Sequence, residues 1–262
     1  MKITLFTLNN RRHNYFINLL SAVCDELWVV QECKNLSIDK KLERPFETEA
    51  IQAYFSHVRE AENKIFKKEY FNKSSKNIKT LSILYGELNN LSLSSINNFL
   101  KSDIYIVFGS SYIKGNLVDF LVLQKAINVH AGVSPYYRGS DCNFWALYDN
   151  NSHLAGSTIH YLSKGLDSGP ILYHAMSNVK TNPFEYTMST VKAAFHSIAE
   201  RIADKSIFKI DSIVQDKQKE IRYSKKIDFN SEIIKKFFKK EINLNIKQFD
   251  NSLLKEPYFL NH

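Results

Sequence analysis

The sequence predicts an α/β fold: a Rossmann-like, mostly parallel sheet with helices on both faces, plus a small C-terminal appendage. Three observations lead there. Strand and helix signals alternate through the first two-thirds of the chain, the pattern of crossover connections between parallel strands. The run Asp103-Ile104-Tyr105-Ile106-Val107-Phe108 is apolar after its acid, as a strand covered on both faces must be. After about residue 206 the chain turns lysine-rich and weakly periodic, which marks the appendage.

Taken in order, strands are expected at 2–8, 26–32, 80–85, 103–108 and 126–130. A long helix is expected over 45–71, with Ile51, Tyr54, Phe55, Val58, Ala61, Ile65 and Phe66 as its apolar stripe and Pro45 in its first turn. Shorter helices are expected at 12–22, 93–100, 114–121 and 141–148. Strands follow at 156–162 and 170–177. A helix then starts at Asn182-Pro183, where Asn182 caps and Glu185 completes a capping box. Met188, Val191, Phe195, Ile198 and Ile202 form its seam. The appendage offers only a loose strand at 220–223 and a short helix at 231–240. The division expected is a catalytic domain over 1–205 and the appendage over 206–262.

Composition narrows the function classes. Hydrophobic residues make up 44% and charged residues 24%, so a sizeable core is available and global disorder is excluded. No apolar run is long enough for a membrane span. The opening Met1-Lys2-Ile3-Thr4-Leu5-Phe6 reads as a core strand instead of a signal peptide, because Asn9-Asn10-Arg11-Arg12 follows it. Cys24, Cys33 and Cys142 have neither zinc spacing nor an even count, so they read as reduced thiols of a cytoplasmic protein. The net charge of +8 comes without an RNA-binding motif, so it reads as a solvated face that steers an anionic ligand, and nucleic acid is not expected as a partner.

The chemistry concentrates in one stretch. Asn128 and His130 are two apart, so on a strand they project to the same side. Both can donate hydrogen bonds to an oxygen that becomes negative. Asp167, on the loop Gly165-Leu166-Asp167-Ser168-Gly169, returns to that place if the strands cross over, where it orients the imidazole or relays a proton. No Ser or Cys sits in a nucleophile elbow, and His130 has no second ligand at metal spacing. Direct acyl transfer between two bound substrates is the chemistry that remains.

These residues also carry a resemblance. Asn128-Val129-His130, then Pro135-Tyr136-Tyr137-Arg138-Gly139, then Gly156-Ser157-Thr158-Ile159-His160, then Asp167-Ser168-Gly169 resemble, in order and spacing, the formyltransferases that use 10-formyltetrahydrofolate. The resemblance covers roughly residues 103–172. It implies that an amine attacks the formyl carbon, that Asn128 and His130 stabilise the oxyanion, and that one of them or Asp167 removes the proton. It further implies that the folate co-substrate lies in a cleft lined by Phe108, Gly109, Ser110, Ser111, Tyr112 and Ile113, and by Ser163, Lys164, Gly165 and Leu166. No metal is implied.

The chain departs from the members that formylate initiator tRNA. Ala131-Gly132-Val133-Ser134 stands where they carry Pro-Ser-Leu-Leu, and the residues after the Asn182 helix are too few for their C-terminal β-barrel. The pattern most resembles the sugar N-formyltransferases of bacterial surface-glycan pathways, the pseudaminic-acid type among them. The acceptor expected is therefore a primary amine of an amino sugar, nucleotide-linked. Two rival readings stay open: a methionyl-tRNA formyltransferase-like enzyme, and a non-catalytic module that binds folate or a nucleotide sugar.

Other residues carry two readings each. Arg11, Arg12 and His13 follow the first strand, where α/β proteins bind ligands, and either contact a phosphate or sugar or begin a solvated helix. Arg138 either contacts substrate or pairs internally in a structural turn. His160 either orders the cleft or is a satisfied core histidine. Phe237-Phe238 and Tyr258-Phe259 need cover, which a homodimer through the appendage would give.

Overall fold

In the computed structural model, residues 1–34, 48–67, 77–244, 246 and 249–260 are described. The strands are β1 (Lys2–Leu8), β2 (Glu26–Cys33), β3 (Ile78–Leu84), β4 (Ile104–Phe108), β5 (Ile127–His130), β6 (Tyr137–Gly139), β7 (Ser157–Tyr161), β8 (Ile171–Ser177), β9 (Arg222–Ser224) and β10 (Tyr258–Leu260). The α-helices are α1 (Arg11–Ser21), α2 (Glu49–Phe66), α3 (Gly115–Leu123), α4 (Cys142–Tyr148), α5 (Pro183–Ala203) and α6 (Ser231–Lys239).

Eight strands form one sheet in the order β10-β8-β7-β5-β4-β1-β2-β3, and β6 with β9 forms a two-stranded ribbon. Strands β1 to β5 are mutually parallel, β7 runs antiparallel to both β5 and β8, and β10 adds in parallel to β8. The sheet is therefore mostly parallel, as the alternation predicts.

Period-two alternation sorts the strand residues onto two layers. Ile3 and Leu5 of β1 and Ile104, Ile106 and Phe108 of β4 join Phe16, Leu20, Phe195 and Ile198 on the face covered by α1, α2 and α5. Phe6, Tyr105 and Val107 join Leu117, Val118 and Leu121 of α3 on the other face. Stacking of Phe16 on Phe195, 4.3 Å between centroids, fixes α1 against α5. A third cluster gathers Phe144, Trp145, Tyr186, Phe229, Ile234 and Phe237 beyond the sheet.

Several expectations need correction. The helix expected at 93–100 is a short 3₁₀ turn at Asn97–Leu100. The serine run ahead of it closes its own turn, with Ser95 N bonded to Ser92 Oγ, and serine side chains that bond nearby backbone compete with helix. β3 begins two residues earlier than expected because its register on β2 pairs Leu27 with Ile78. Asn182 does cap α5, accepting from the N–H groups of Phe184 and Glu185, but the Glu185 carboxylate pairs with Lys64 of α2 at 2.7 Å instead of closing a box. Residues 45–47 and 68–71 of the long helix, Pro45 among them, lie outside the described residues.

The stretch after α5 contributes to both sheets. β9 pairs with β6, β10 extends the main sheet, and α6 packs on α2. Phe237 is buried and Tyr258 and Phe259 are partly covered within the chain, so the argument for a covering copy lapses there and persists only for the exposed Phe238.

Candidate active site

The polar cluster forms where β5 meets β7. The antiparallel register sets Asn128 directly opposite His160 and His130 opposite Thr158. Ile127 and Val129 turn into the core beneath, which leaves Asn128 and His130 on the opposite face. The loop after β7 then brings Asp167 back over them. Gly169 permits this, because a Cβ there would overlap the Tyr161 carbonyl oxygen.

Asp167 sits at the centre of the cluster. Its Oδ1 accepts from Asn128 Nδ2 at 3.3 Å, and its Oδ2 lies 3.4 Å from His130 Nδ1. His130 Nε2 donates to the Tyr137 carbonyl at 3.2 Å, so both ring nitrogens face oxygen atoms. His160 completes the group. Its Nδ1 donates to the Tyr161 carbonyl at 2.8 Å, which leaves the Nε2 lone pair to accept from Asn128 Nδ2 at 3.0 Å. Burial lowers the His160 pKa to about 4, so it is a neutral acceptor that fixes the orientation of the Asn128 amide. The paired reading of His160 resolves towards ordering the site, a role that depends on register across the sheet.

A cavity of about 1190 Å³ opens along this edge and is lined by Asn128, His130, His160 and Asp167. Phe108 ends β4 and residues 109–113 follow it, while residues 162–167 follow β7; these two strands flank β5, so both segments border the polar cluster from its two sides. Of the residues expected to hold the co-substrate, Phe108, Gly109, Ser110, Ser111, Tyr112, Ile113, Ser163, Gly165 and Leu166 line the cavity. Lys164 does not: its ammonium pairs with Asp119, and its carbonyl accepts from the Tyr112 hydroxyl at 2.6 Å. Glu32, buried at the end of β2, holds the Ser111 N–H and hydroxyl at 2.6 and 2.7 Å and so shapes this border.

A second part of the lining is aromatic and apolar, from Ile51, Tyr54 and Phe55 of α2, Phe144 of α4 and Phe229, with Arg12, His13 and Lys34 near the ends of β1 and β2. His13 is 1% exposed, and neither of its ring nitrogens has a partner. Arg12 lines the cavity while pairing with Glu62 at 3.2 Å. Arg11 turns away to the Lys67 carbonyl, so its expected substrate contact is not where the structure directs it.

Arg138 is likewise corrected. It donates to the carbonyls of Leu166 and Asp167 and to Glu220, the internal-pairing alternative, and is not part of the cavity wall. Cys142 lies close by, but burial holds its thiol well above its ordinary pKa, so it stays protonated and is no nucleophile. Among the described residues no His/Cys/Asp/Glu group could hold a metal ion, and no helix is long and apolar enough to cross a membrane.

A carboxamide, two imidazoles and a carboxylate meet at strand ends of the sheet beside a long cavity, an arrangement whose chemistry suits direct acyl transfer. Residues 99–207, which supply the whole cluster, match the family model described as "Formyl transferase". A methionyl-tRNA formyltransferase of Prochlorococcus marinus is 24% identical over 146 residues, 55% of this chain and 42% of that protein. The chain spans less than half the length of the curated relatives it matches. Among solved structures, a sugar N-formyltransferase from Shewanella sp. FDAARGOS_354 matches at a TM-score of 0.52 and 16% identity, covering 87% of this chain and 78% of that one. The N-formyltransferase of Helicobacter canadensis, in complex with folinic acid and dTDP-3-aminofucose, matches at 0.52 and 15%, covering 88% and 73%. Likeness at this identity establishes a shared fold.

Proposed function

We propose that this chain transfers a formyl group from 10-formyltetrahydrofolate to the primary amine of an amino sugar, in nucleotide-linked form, for surface-glycan assembly. The observation that carries the reading is the convergence of Asn128, His130 and Asp167 within 3.3 and 3.4 Å contacts in the segment that matches the formyl transferase family.

The cavity fits the co-substrate. Its border along Phe108–Ile113 offers backbone groups for a pterin, and Val107, Val118 and Leu162 offer an apolar wall. When bound, the co-substrate supplies an activated formyl carbon. The work of the chain follows from its geometry. His160 anchors the Asn128 amide through the shorter of its two contacts, so the longer one, to Asp167, is the one an incoming carbonyl oxygen competes for. The His130 ring is held beside the same region by its Nε2 bond to the Tyr137 carbonyl. The Asp167 carboxylate, which keeps both nitrogens company, accepts the proton released by the attacking amine. The orphaned imidazole of His13 offers a hydrogen bond to a hydroxyl or phosphate oxygen of the acceptor, and the aromatic wall of Tyr54, Phe55, Phe144 and Phe229 packs on its less polar face. The dTDP-amino sugar carried by the Helicobacter canadensis protein supports this class of acceptor.

The test is turnover of 10-formyltetrahydrofolate with a panel of UDP- and dTDP-linked amino sugars, read by mass spectrometry of the acceptor. Asn128→Ala, His130→Ala and Asp167→Ala are each expected to lower kcat by roughly 10²–10³-fold while the melting temperature is kept. Wild-type turnover in all three folded variants removes the assignment. Methionyl-tRNA belongs in the panel because the curated relatives carry that activity in their names. Its formylation in preference to the sugars replaces the acceptor, and occupancy of folate or nucleotide sugar with no product reduces the chain to a binding module.

A further inference from the structure

Asp167 reaches His130 and Asn128 from a backbone with φ of +46°, the left-handed region that non-glycine residues enter at a cost. The restraint that holds it there lies on the carbonyl side. The Asp167 carbonyl oxygen accepts two hydrogen bonds, from Arg138 Nε at 3.2 Å and from Gln215 Nε2 at 2.9 Å. The same Gln215 amide donates to the Gly169 carbonyl at 2.8 Å, and Arg138 Nη2 donates to the Leu166 carbonyl at 2.9 Å. Two side chains thus fasten three carbonyls of the loop that carries the carboxylate.

Both fasteners are themselves placed by the stretch after α5. Ile213 and Ile171 exchange backbone hydrogen bonds of 2.9 and 2.7 Å, which pins the strand-like segment to the start of β8 and sets Gln215 two residues further on. The pairing of β9 with β6 sets Tyr223 opposite Arg138, with the guanidinium 5.6 Å from the ring centroid, and Glu220 closes on Arg138 Nη1 at 2.9 Å. Gln215 gives both contacts through its amide nitrogen while its buried Oε1 has no partner, so the amide is oriented for the loop and for nothing else nearby. Gln215, Glu220 and Arg138 are all absent from the cavity wall.

We infer that Gln215, acting with Arg138, is a positioning residue that fixes the Asp167 carboxylate against His130 and Asn128. Its kinetic signature rests on the transferase reading above, whereas its spectroscopic signature does not. In the full chain, Gln215→Leu removes both donors. It is expected to lower kcat by about ten-fold or more, since small misplacements of a reacting group are costly, with both KM values within about two-fold of wild type. Gln215→Glu turns a carboxylate towards two carbonyl oxygens near neutrality and regains one O–H donor when protonated. Its kcat therefore recovers relative to Gln215→Leu as the pH is lowered.

The ring-nitrogen NMR signals of His130 and His160 supply the second measurement, with Asp167→Asn as the reference for a lost carboxylate. Gln215→Leu is expected to move them in the direction in which Asp167→Asn does. Signals and kcat that stay at wild type in folded Gln215→Leu overturn the inference. So does a rise in KM with unchanged kcat and unchanged signals, which would make Gln215 a ligand contact. If no amine is turned over by the wild type, the transferase reading fails while the ring signals still decide this one.

Discussion

The burial of His13 works against stability. The side chain is buried with both nitrogens unpartnered, and burial, with Arg12 and Lys34 near it, holds its pKa well below the ordinary value, so the ring is neutral and its polarity unanswered. His13→Leu is expected to keep or raise the melting temperature, because an unsatisfied buried polar group is removed, while raising KM for the amine acceptor more than it changes kcat. A fall in both stability and kcat would mean that the imidazole serves the fold. The residues of the cluster differ in how far the sequence exposes them. Asn128 and His130 are legible because strand periodicity is local, and Asp167 because its glycines announce a turn. His160 is legible only once β5 and β7 are paired in the right register, and register is a long-range property. Gln215 and Glu220 leave no local signal, since a glutamine that fastens a distant carbonyl looks like any polar loop residue.

The short ribbon of β6 and β9 matters more than its three-residue strands suggest. Gly139 closes β6 with φ of +93°, and a Cβ there would overlap the Ser224 carbonyl oxygen. Gly139→Ala therefore meets both a left-handed backbone and a backbone clash, and is expected to cost about 2–4 kcal/mol in urea unfolding. Gly86 has φ of +91° but open space around its Cβ position, so Gly86→Ala carries the conformational cost alone, on the order of 1 kcal/mol. Equal losses at the two sites would show that the clash at Gly139 is relieved by movement of β9. Elements whose signals are local stand close to where the sequence puts them: β1, α1, β8, and α5 with its Asn182 cap. Elements defined by a partner do not. The stretch expected as a helix over 93–100 keeps only a 3₁₀ turn because its serines bond nearby backbone, β10 is not expected from the sequence and forms on the edge of β8, and β9 forms over Arg222–Ser224, shifted from the expected 220–223, where β6 presents an edge.

For the molecule as a whole, buried histidines set the response to acid. Burial lowers both His160 and His174 to about 4 from an ordinary 6.5. His174 Nε2 donates to the Ser134 carbonyl at 2.8 Å and its Nδ1 accepts from the Lys255 N–H at 2.8 Å, so protonation would set two donors against each other. The unfolded chain binds these protons first. Stability is therefore fully present above the ordinary histidine pKa and is lost as the pH falls from there towards about 4, by up to about 3 kcal/mol for each ring. Melting temperature is expected to be level near neutrality and to fall through that window, and His174→Gln should shallow the fall. An acid limb of unchanged steepness in that variant would remove His174 as a cause. The sheet carries one more consequence. Every residue of β8 is buried, yet part of its outer edge is paired only by β10, which the ribosome delivers much later. A nascent chain halted between the two strands presents an apolar, unpaired edge, and such products are expected to need chaperones or to aggregate while the finished chain does not.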